Sequence, residues 1–102
     1  MAAKYPPQQA LDLIRKILNE GGYIAPSKQH ARKDRMPERD VDMQDLEILF
    51  LETGEIRKEP VWDDGHQNYK YRVEGKDDLG DDLTAVVVID EKNWRIKIVT
   101  VF

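Results

Sequence analysis

The hydrophobic period of this chain changes at Gly54. Before Gly54, apolar residues recur every three or four positions, which predicts amphipathic helices; from Glu55 onward they alternate with polar residues, which predicts strands. Helices and strands that are segregated along a chain are typical of α+β folds. The 102 residues allow one domain. We therefore predict a single α+β domain over residues 1–102, with three N-terminal helices packed on a four-stranded antiparallel β-sheet meander.

The predicted helices have recognisable beginnings and ends. The first occupies residues 7–20, with prolines at its start and a pair of glycines after it. The second covers the polar residues 27–36 and is broken or kinked at Pro37, which lacks a backbone N–H. The third begins at Asp42, a suitable N-cap, and ends at Gly54, the expected C′ glycine.

Four strands follow, separated by turns rich in Asp, Asn and Gly. We predict them over residues 56–61, 69–74, 83–89 and 94–102. Pro60 cannot donate to a strand ladder, which favours an edge position for the first strand, and the last strand would form the other edge. Helices on one face of such a meander leave its opposite face open.

Charge is distributed unevenly between the two halves of the chain. The formal net charge is −4, but residues 1–39 carry a balance of +4 and residues 40–102 a balance of −8. The net acidity argues against a protein that coats nucleic acid uniformly. A local patch that binds phosphate remains compatible with it.

Several function classes are excluded by what the sequence lacks. Without cysteine there is no disulfide, no thiol nucleophile and no zinc site made of thiolates. There is no Walker loop, dinucleotide-binding glycine pattern or serine elbow. The longest apolar stretch, Ala85 to Ile89, is too short to cross a bilayer, and the amino terminus does not resemble a signal peptide. We expect a soluble cytoplasmic protein with no membrane contact, metal or cofactor.

Basic side chains are most concentrated between residues 28 and 39. Arginine binds phosphate oxygens in a bidentate manner, and a neighbouring histidine exchanges protons near neutral pH, so this segment is a candidate phosphodiester site. A solvated helix face, paired with the acidic half of the chain, is the alternative interpretation. The candidate residues are Lys28, His30, Arg32, Lys33, Arg35 and Arg39.

On the predicted sheet, Arg72 and Lys97 are the candidates for contact with a ligand. Arg72 lies on the face opposite to Tyr69 and Tyr71 in the alternating pattern. We expect the two tyrosines to pack in or against the core rather than to stack on bases.

Each of the two histidines has two interpretations. His30, three residues after the predicted N-cap Ser27, is either a proton-transfer group or a structural histidine bonded to a carboxylate or to the backbone. His66 adjoins Asp63 and Asp64 in a turn, where the three side chains could surround a metal ion. A single histidine without a ligand spacing is, however, a weak signal for a metal site.

The segment 27–41, SKQHARKDRMPERDV, resembles a bacterial family catalogued as domain of unknown function 4258. Members of that family carry a His-Ala pair followed by Arg-Met, a second Arg and a β-branched residue. The family is similar to toxins of the BrnT and RelE type, compact α+β proteins that cleave messenger RNA and are held in check by an antitoxin. The resemblance therefore implies a RelE-like fold and a ribonuclease activity. It covers residues 10–102, with further short motifs at 45–46, 54–56, 71–77 and 98–102.

Two functions fit these observations. The first is a toxin-like protein of a toxin–antitoxin type system, a metal-independent endoribonuclease that acts on mRNA, with RNA and an antitoxin as partners. The second is a non-catalytic protein-interaction module of the bacterial cytoplasm, which uses the basic helix or the open sheet face. In the first, His30 is the base or acid and Arg35 and Arg39 hold the phosphate. The RNA-binding residues would be Lys28, Arg32, Lys33, Arg72 and Lys97.

Overall fold

The structure is a computed structural model that describes residues 3–26 and 41–102. Over these two stretches the chain forms two helices and five strands. The helices are α1 (Pro7–Asn19) and α2 (Met43–Ile48), and α2 continues directly into a π-helical segment (Leu49–Thr53). The strands are β1 (Tyr23–Pro26), β2 (Val61–Asp63), β3 (Asn68–Lys76), β4 (Asp82–Asp90) and β5 (Arg95–Val101).

All five strands belong to one mixed sheet with the order β1-β5-β4-β3-β2. Strands β2 to β5 pair antiparallel, whereas β1 pairs parallel with β5, so that Tyr23 lies opposite Arg95. The prediction of three helices on a four-stranded antiparallel meander is therefore wrong: the sheet has five strands and is mixed, and the described residues contain two helices. The helix predicted over residues 27–36, with Pro37, lies outside the described residues. Periodicity does not find β1, because its four residues are too few to show an alternation.

Helix α1 begins and ends as its sequence predicts. Pro7 occupies the first helical position, where the missing N–H would have no intrahelical partner. Gly21 follows the helix with φ +94°, a conformation that residues with a Cβ rarely adopt. The buried residues of α1 are Ala10, Leu11, Ile14 and Ile17.

Helix α2 begins with a capping box, which confirms Asp42 as its N-cap. Asp42 Oδ1 accepts a hydrogen bond from the Asp45 N–H at 2.9 Å, and Asp45 Oδ2 accepts one from the Asp42 N–H at 3.3 Å. Gly54 does not adopt the left-handed conformation of a C′ glycine, since its φ is −76° and its ψ is 151°. Glycine is required there for space, because a Cβ would lie 2.4 Å from the carbonyl oxygen of Leu49.

The predicted edges of the sheet are wrong in two places. A strand over residues 56–61 is not formed: β2 begins only at Val61, and before it Glu55 makes an isolated bridge with Glu74 of β3. The strand predicted over residues 94–102 exists as β5, but it is not an edge strand, because β1 pairs with its other side.

A register shift between β4 and β5 lets both ends of β5 contribute to the core. Ile98 and Thr100 pair with consecutive residues of β4, so Val99 is an extra residue in the ladder. Ile98 and Val101 are three positions apart and would face opposite sides of a regular strand. Both are nevertheless buried in the core, 1% and 2% exposed.

One face of the sheet, the core face, packs against both described helices. Arg15 of α1 fixes the π-helical segment, donating from Nε to the Phe50 carbonyl at 2.9 Å and from Nη2 to the Gly54 carbonyl at 3.2 Å. The opposite face carries no helix of residues 3–26 or 41–102, and we call it the open face. The strand residues that alternate onto the open face are Tyr23, Ala25, Val61, Asp63, Asn68, Lys70, Arg72, Glu74, Lys76, Asp82, Thr84, Val86, Val88, Asp90, Arg95, Lys97 and Thr100.

Candidate functional site

The central row of the open face combines two lysines with apolar residues. Strand register sets Val61, Lys70, Val88, Lys97 and Ala25 side by side across the five strands. Neighbouring strands lie about 4.8 Å apart, which separates the Cα atoms of the two lysines by about 10 Å. Val88 between them is 2% exposed, although it does not belong to the core cluster. The row therefore places one lysine on each side of the buried Val88.

Lys70 and Lys97 have no carboxylate within ion-pair distance among the described residues, although Lys70 acts on the Asp63 carboxylate from further away. Neither ammonium group makes a hydrogen bond or an ion pair there, whereas the two arginines of this face do have acidic neighbours. Both lysines are half-buried. An ammonium group that is not already paired can bind an anion without first breaking an ion pair.

Arg72 lies one row away from the lysines and is oriented by two neighbours. Its guanidinium carbon lies 5.1 Å from the centroid of the Phe102 ring, which is a cation–π contact. Its Nε lies 3.5 Å from Glu74 Oε2, which is too long for a good hydrogen bond. This Nε is buried and has no acceptor among the described residues. Because this Nε is buried while the side chain as a whole is 39% exposed, an external oxyanion can reach the guanidinium group only at its terminal nitrogens.

On the part of the open face next to β1, the charges of Arg95 and Asp90 neutralise each other. Arg95 Nε donates to Asp90 Oδ2 at 2.8 Å, and Asn93 Nδ2 donates to the same oxygen at 2.9 Å. Burial alone would raise the pKa of Asp90, but these hydrogen bonds outweigh it and hold that pKa below its ordinary value. The same contact with Asp90 raises the pKa of Arg95. This pair is satisfied within the protein and connects the two ends of the β4–β5 turn.

The turn between β2 and β3 holds a histidine against an aspartate. His66 Nδ1 lies 2.7 Å from Asp63 Oδ2, and the two side chains are 22% and 19% exposed. Asp63 Oδ1 accepts a hydrogen bond from the Gly65 N–H at 3.1 Å. The hydrogen bond with His66 is the main cause that lowers the pKa of Asp63, and the charge of nearby Lys70 acts in the same direction. An ionised carboxylate only accepts hydrogen bonds, so His66 Nδ1 is the donor in its contact with Asp63.

The carboxylates near His66 do not form a metal site. Over residues 3–26 and 41–102, no group of three or more His, Cys, Asp or Glu side chains is placed to hold a metal ion. Asp64, the third member of the sequence cluster, has Oδ1 engaged by Trp62 Nε1 at 3.3 Å and Gln67 Nε2 at 3.2 Å. Its side chain stabilises the turn.

Arg72 and Lys97 are the predicted site residues that fall within the described chain, and strand register places both on the open face. The two tyrosines expected to pack in or against the core do so: Tyr71 is 1% exposed and Tyr69 packs against the core cluster. Lys70 was not a sequence candidate, although its alternation with the tyrosines assigns it to the same face. The predicted residues outside the described ones are Lys28, His30, Arg32, Lys33, Arg35 and Arg39.

The fold and this surface define an α+β protein with a mixed sheet, on whose open face Lys70 and Lys97 make no ion pair with the residues that the structure describes. The family described as Domain of unknown function (DUF4258) matches residues 28–102. The chain belongs to this family, which confirms that part of the resemblance seen in the sequence. No curated protein and no solved structure matches the chain. None of the helices in the described residues has the length and apolar character to cross a membrane.

Proposed function

We propose that this chain binds RNA on the open face and cleaves mRNA without a metal ion, as the toxin of a toxin–antitoxin type system. The observation that carries the proposal is the row Lys70, Val88, Lys97, in which neither lysine has a carboxylate within ion-pair distance among the described residues. In a chain of net charge −4, free cations on one surface favour a polyanionic ligand at that surface.

The surroundings of the lysines suit a single strand of nucleic acid. Arg72, two residues along β3 from Lys70, adds a third cation at about 7 Å. Two aromatic rings flank the cations: Phe102, which contacts Arg72, is 49% exposed, and Tyr23, opposite Arg95, is 51% exposed. Cations that follow a phosphate backbone and aromatic faces that stack on bases are the two components of single-strand binding.

Cleavage by the RNA's own 2′-hydroxyl needs a base, cations around the phosphate and a proton for the leaving oxygen. The proposal keeps His30 as base or acid and Arg35 and Arg39 as the phosphate clamp, and Arg72 and Lys97 support the strand from the sheet. An antitoxin as partner follows from the resemblance to BrnT-type and RelE-type toxins. The further RNA contacts proposed outside the described residues are Lys28, Arg32 and Lys33.

The binding step is tested by replacing both lysines of the row. We expect Lys70→Ala/Lys97→Ala to weaken binding of a labelled single-stranded RNA by a similar factor for unrelated sequences. The slope of log affinity against log salt should fall by about 0.7 for each lysine lost. The matched control is Lys58→Ala/Lys92→Ala, which removes two exposed loop lysines. Equal affinity and slope for the two double variants, measured by fluorescence anisotropy, would contradict binding on the open face.

The interaction-module alternative is favoured by the edge strand β2. Val61 and Trp62 of this strand are 59% and 43% exposed, and large exposed apolar residues on a sheet edge are suited to pairing with a protein partner. Expression of the chain alone in a bacterium separates the two functions. Growth arrest with mRNA cleavage, relieved by a co-expressed neighbouring gene, supports the toxin. Normal growth at high expression, with intact mRNA, supports the module.

A further inference from the structure

We propose that His66 is the general base of RNA cleavage and that Asp63 positions it, an inference that rests on the function proposed above. The two side chains form a hydrogen-bonded pair, with 2.7 Å between His66 Nδ1 and Asp63 Oδ2. Both are half-buried, 22% and 19% exposed, so the pair is held in place yet remains accessible to a ligand. Within the described chain His66 Nε2 has no hydrogen-bond partner, which leaves it free to accept a proton.

The pair lies at one end of the open face. Val61 is opposite Lys70, and Asp63, two residues further along β2, therefore points to the same face. In the register of β2 and β3, Lys70 is a diagonal neighbour of Asp63, with about 7–8 Å between their Cα atoms. The proposal places the scissile phosphate at Lys70 and the adjacent ribose at the His66 imidazole.

The chemistry follows from which imidazole nitrogen is free. Ionised Asp63 accepts a hydrogen bond from the Nδ1–H group, which keeps its proton, and Nε2 takes the proton of the RNA 2′-hydroxyl. The bond from the 2′-oxygen to phosphorus forms while the bond from phosphorus to the 5′-oxygen breaks, and the leaving 5′-oxygen takes a proton from the general acid, the role that remains for His30, which solvent then reprotonates. The products are a 2′,3′-cyclic phosphate and a 5′-hydroxyl end, after which the His66 imidazolium returns its proton to solvent. No metal or redox partner is consumed.

A purely structural role for the pair makes a different prediction. Asp63 also accepts the Gly65 N–H, so its side chain contributes to the turn whether or not His66 acts on a substrate. A structural pair would affect the free energy of unfolding. It would not create a dependence of the cleavage rate on pH over the range in which imidazole exchanges protons, about pH 5 to 8.

The test is a set of pH-rate profiles for the full chain cleaving a short single-stranded RNA. His66→Gln keeps a donor for Asp63 but cannot act as a base. We expect it to lower kcat by about 10²- to 10⁴-fold, with KM little changed and the rise of rate with pH abolished. Asp63→Asn keeps an oxygen for the Gly65 N–H. It should lower kcat less than His66→Gln does, and it should also change the rise of rate with pH. Asp64→Asn is the matched control, since it removes one charge from the same turn and keeps its acceptor oxygen.

The outcomes separate this inference from the proposed function. If His66→Gln and Asp64→Asn cleave alike, His66 is not the base, while RNA binding by Lys70 and Lys97 stands on its own test. If the unmodified chain binds RNA and cleaves none, both the base role and the endoribonuclease proposal are overturned and the binding proposal stands. Urea unfolding of each variant checks the fold, and if His66→Gln does not fold, the profile of Asp63→Asn decides the inference.

Discussion

The two faces of the sheet use the same strands for different purposes. Along β3, Tyr71 and Val73 are 1% and 0% exposed and face the helices, while Lys70 and Arg72 alternate onto the open face. The core face is filled with apolar side chains. The open face contains unpaired lysines and a buried guanidinium nitrogen without an acceptor in the described chain. We therefore expect stability to depend on the core face and the proposed RNA binding to depend on the open face, so that substitutions affect one without the other.

The largest effect should come from the core face. Phe50, in the π-helical segment, is 0% exposed, and Phe50→Ala should reduce the free energy of unfolding by about 3–5 kcal/mol, because it leaves a cavity among apolar side chains. Phe102→Ala is the control, since this ring is 49% exposed on the other face, and it should change that free energy by less than about 1 kcal/mol. Urea unfolding measures both. Equal losses for the two variants would contradict the division between the faces.

The sequence predicted the elements whose signals are local. The N-cap at Asp42, the glycine stop at Gly21 and the alternation around Tyr71 depend on residues close together in the chain, and the structure confirms them. The parallel pairing of β1 with β5 depends on residues more than 70 positions apart, as for Tyr23 and Arg95, and no local pattern encodes it. The fold-class prediction was therefore wrong in the number of helices, in the number and direction of the strands, and in their segregation, because β1 lies between the two described helices in the chain.

The candidate site was predicted only in part for a related reason. The side of the sheet occupied by Arg72 and Lys97 follows from alternation within each strand, and both lie on the open face. That Lys70 and Lys97 flank Val88 depends on the register between three strands, which alternation does not fix. The contact between His66 and Asp63 depends on the backbone of a turn, where Gln67 has φ +51°. Residue type alone offered a metal site there only as the weaker interpretation.

A second prediction tests whether the end of the π-helical segment is packed too tightly against the core face to admit an additional methyl group. Gly54→Ala should destabilise the protein by about 1–3 kcal/mol, because the new Cβ would lie 2.4 Å from the Leu49 carbonyl oxygen and 2.6 Å from Val73 Cγ1. Gly65→Ala in the β2–β3 turn is the control. Its Cβ would meet only Asp63 Oδ1, at an ordinary 3.6 Å, so we expect a change within about 0.5 kcal/mol. A tolerated Gly54→Ala, measured by thermal unfolding, would mean that the segment can move away from the sheet.

The smallest expected change in stability distinguishes charges on the open face that are paired within the protein from charges that are not. The pKa of Asp90 is lower in the folded protein than its ordinary value near 3.9, so its ion pair stabilises the fold fully above that value. This stabilisation is lost as the pH falls through the folded-state pKa. Asp90→Asn should therefore cost about 0.5–1.5 kcal/mol at pH 7, and the difference from the unmodified protein should disappear in strong acid.

The matched comparison for this pair is Lys97→Gln, measured by urea unfolding at the same pH values. Lys97 has no carboxylate partner among the described residues, so we expect little change in stability and no dependence of that change on pH. A pH-dependent loss in Lys97→Gln would show that its charge is already used within the fold. Lys97 would then be unavailable to phosphate, because its charge would already be paired within the protein. The expected result is that Lys97→Gln leaves the free energy of unfolding unchanged but weakens RNA binding. That result would show that the core face stabilises the fold and the open face binds RNA.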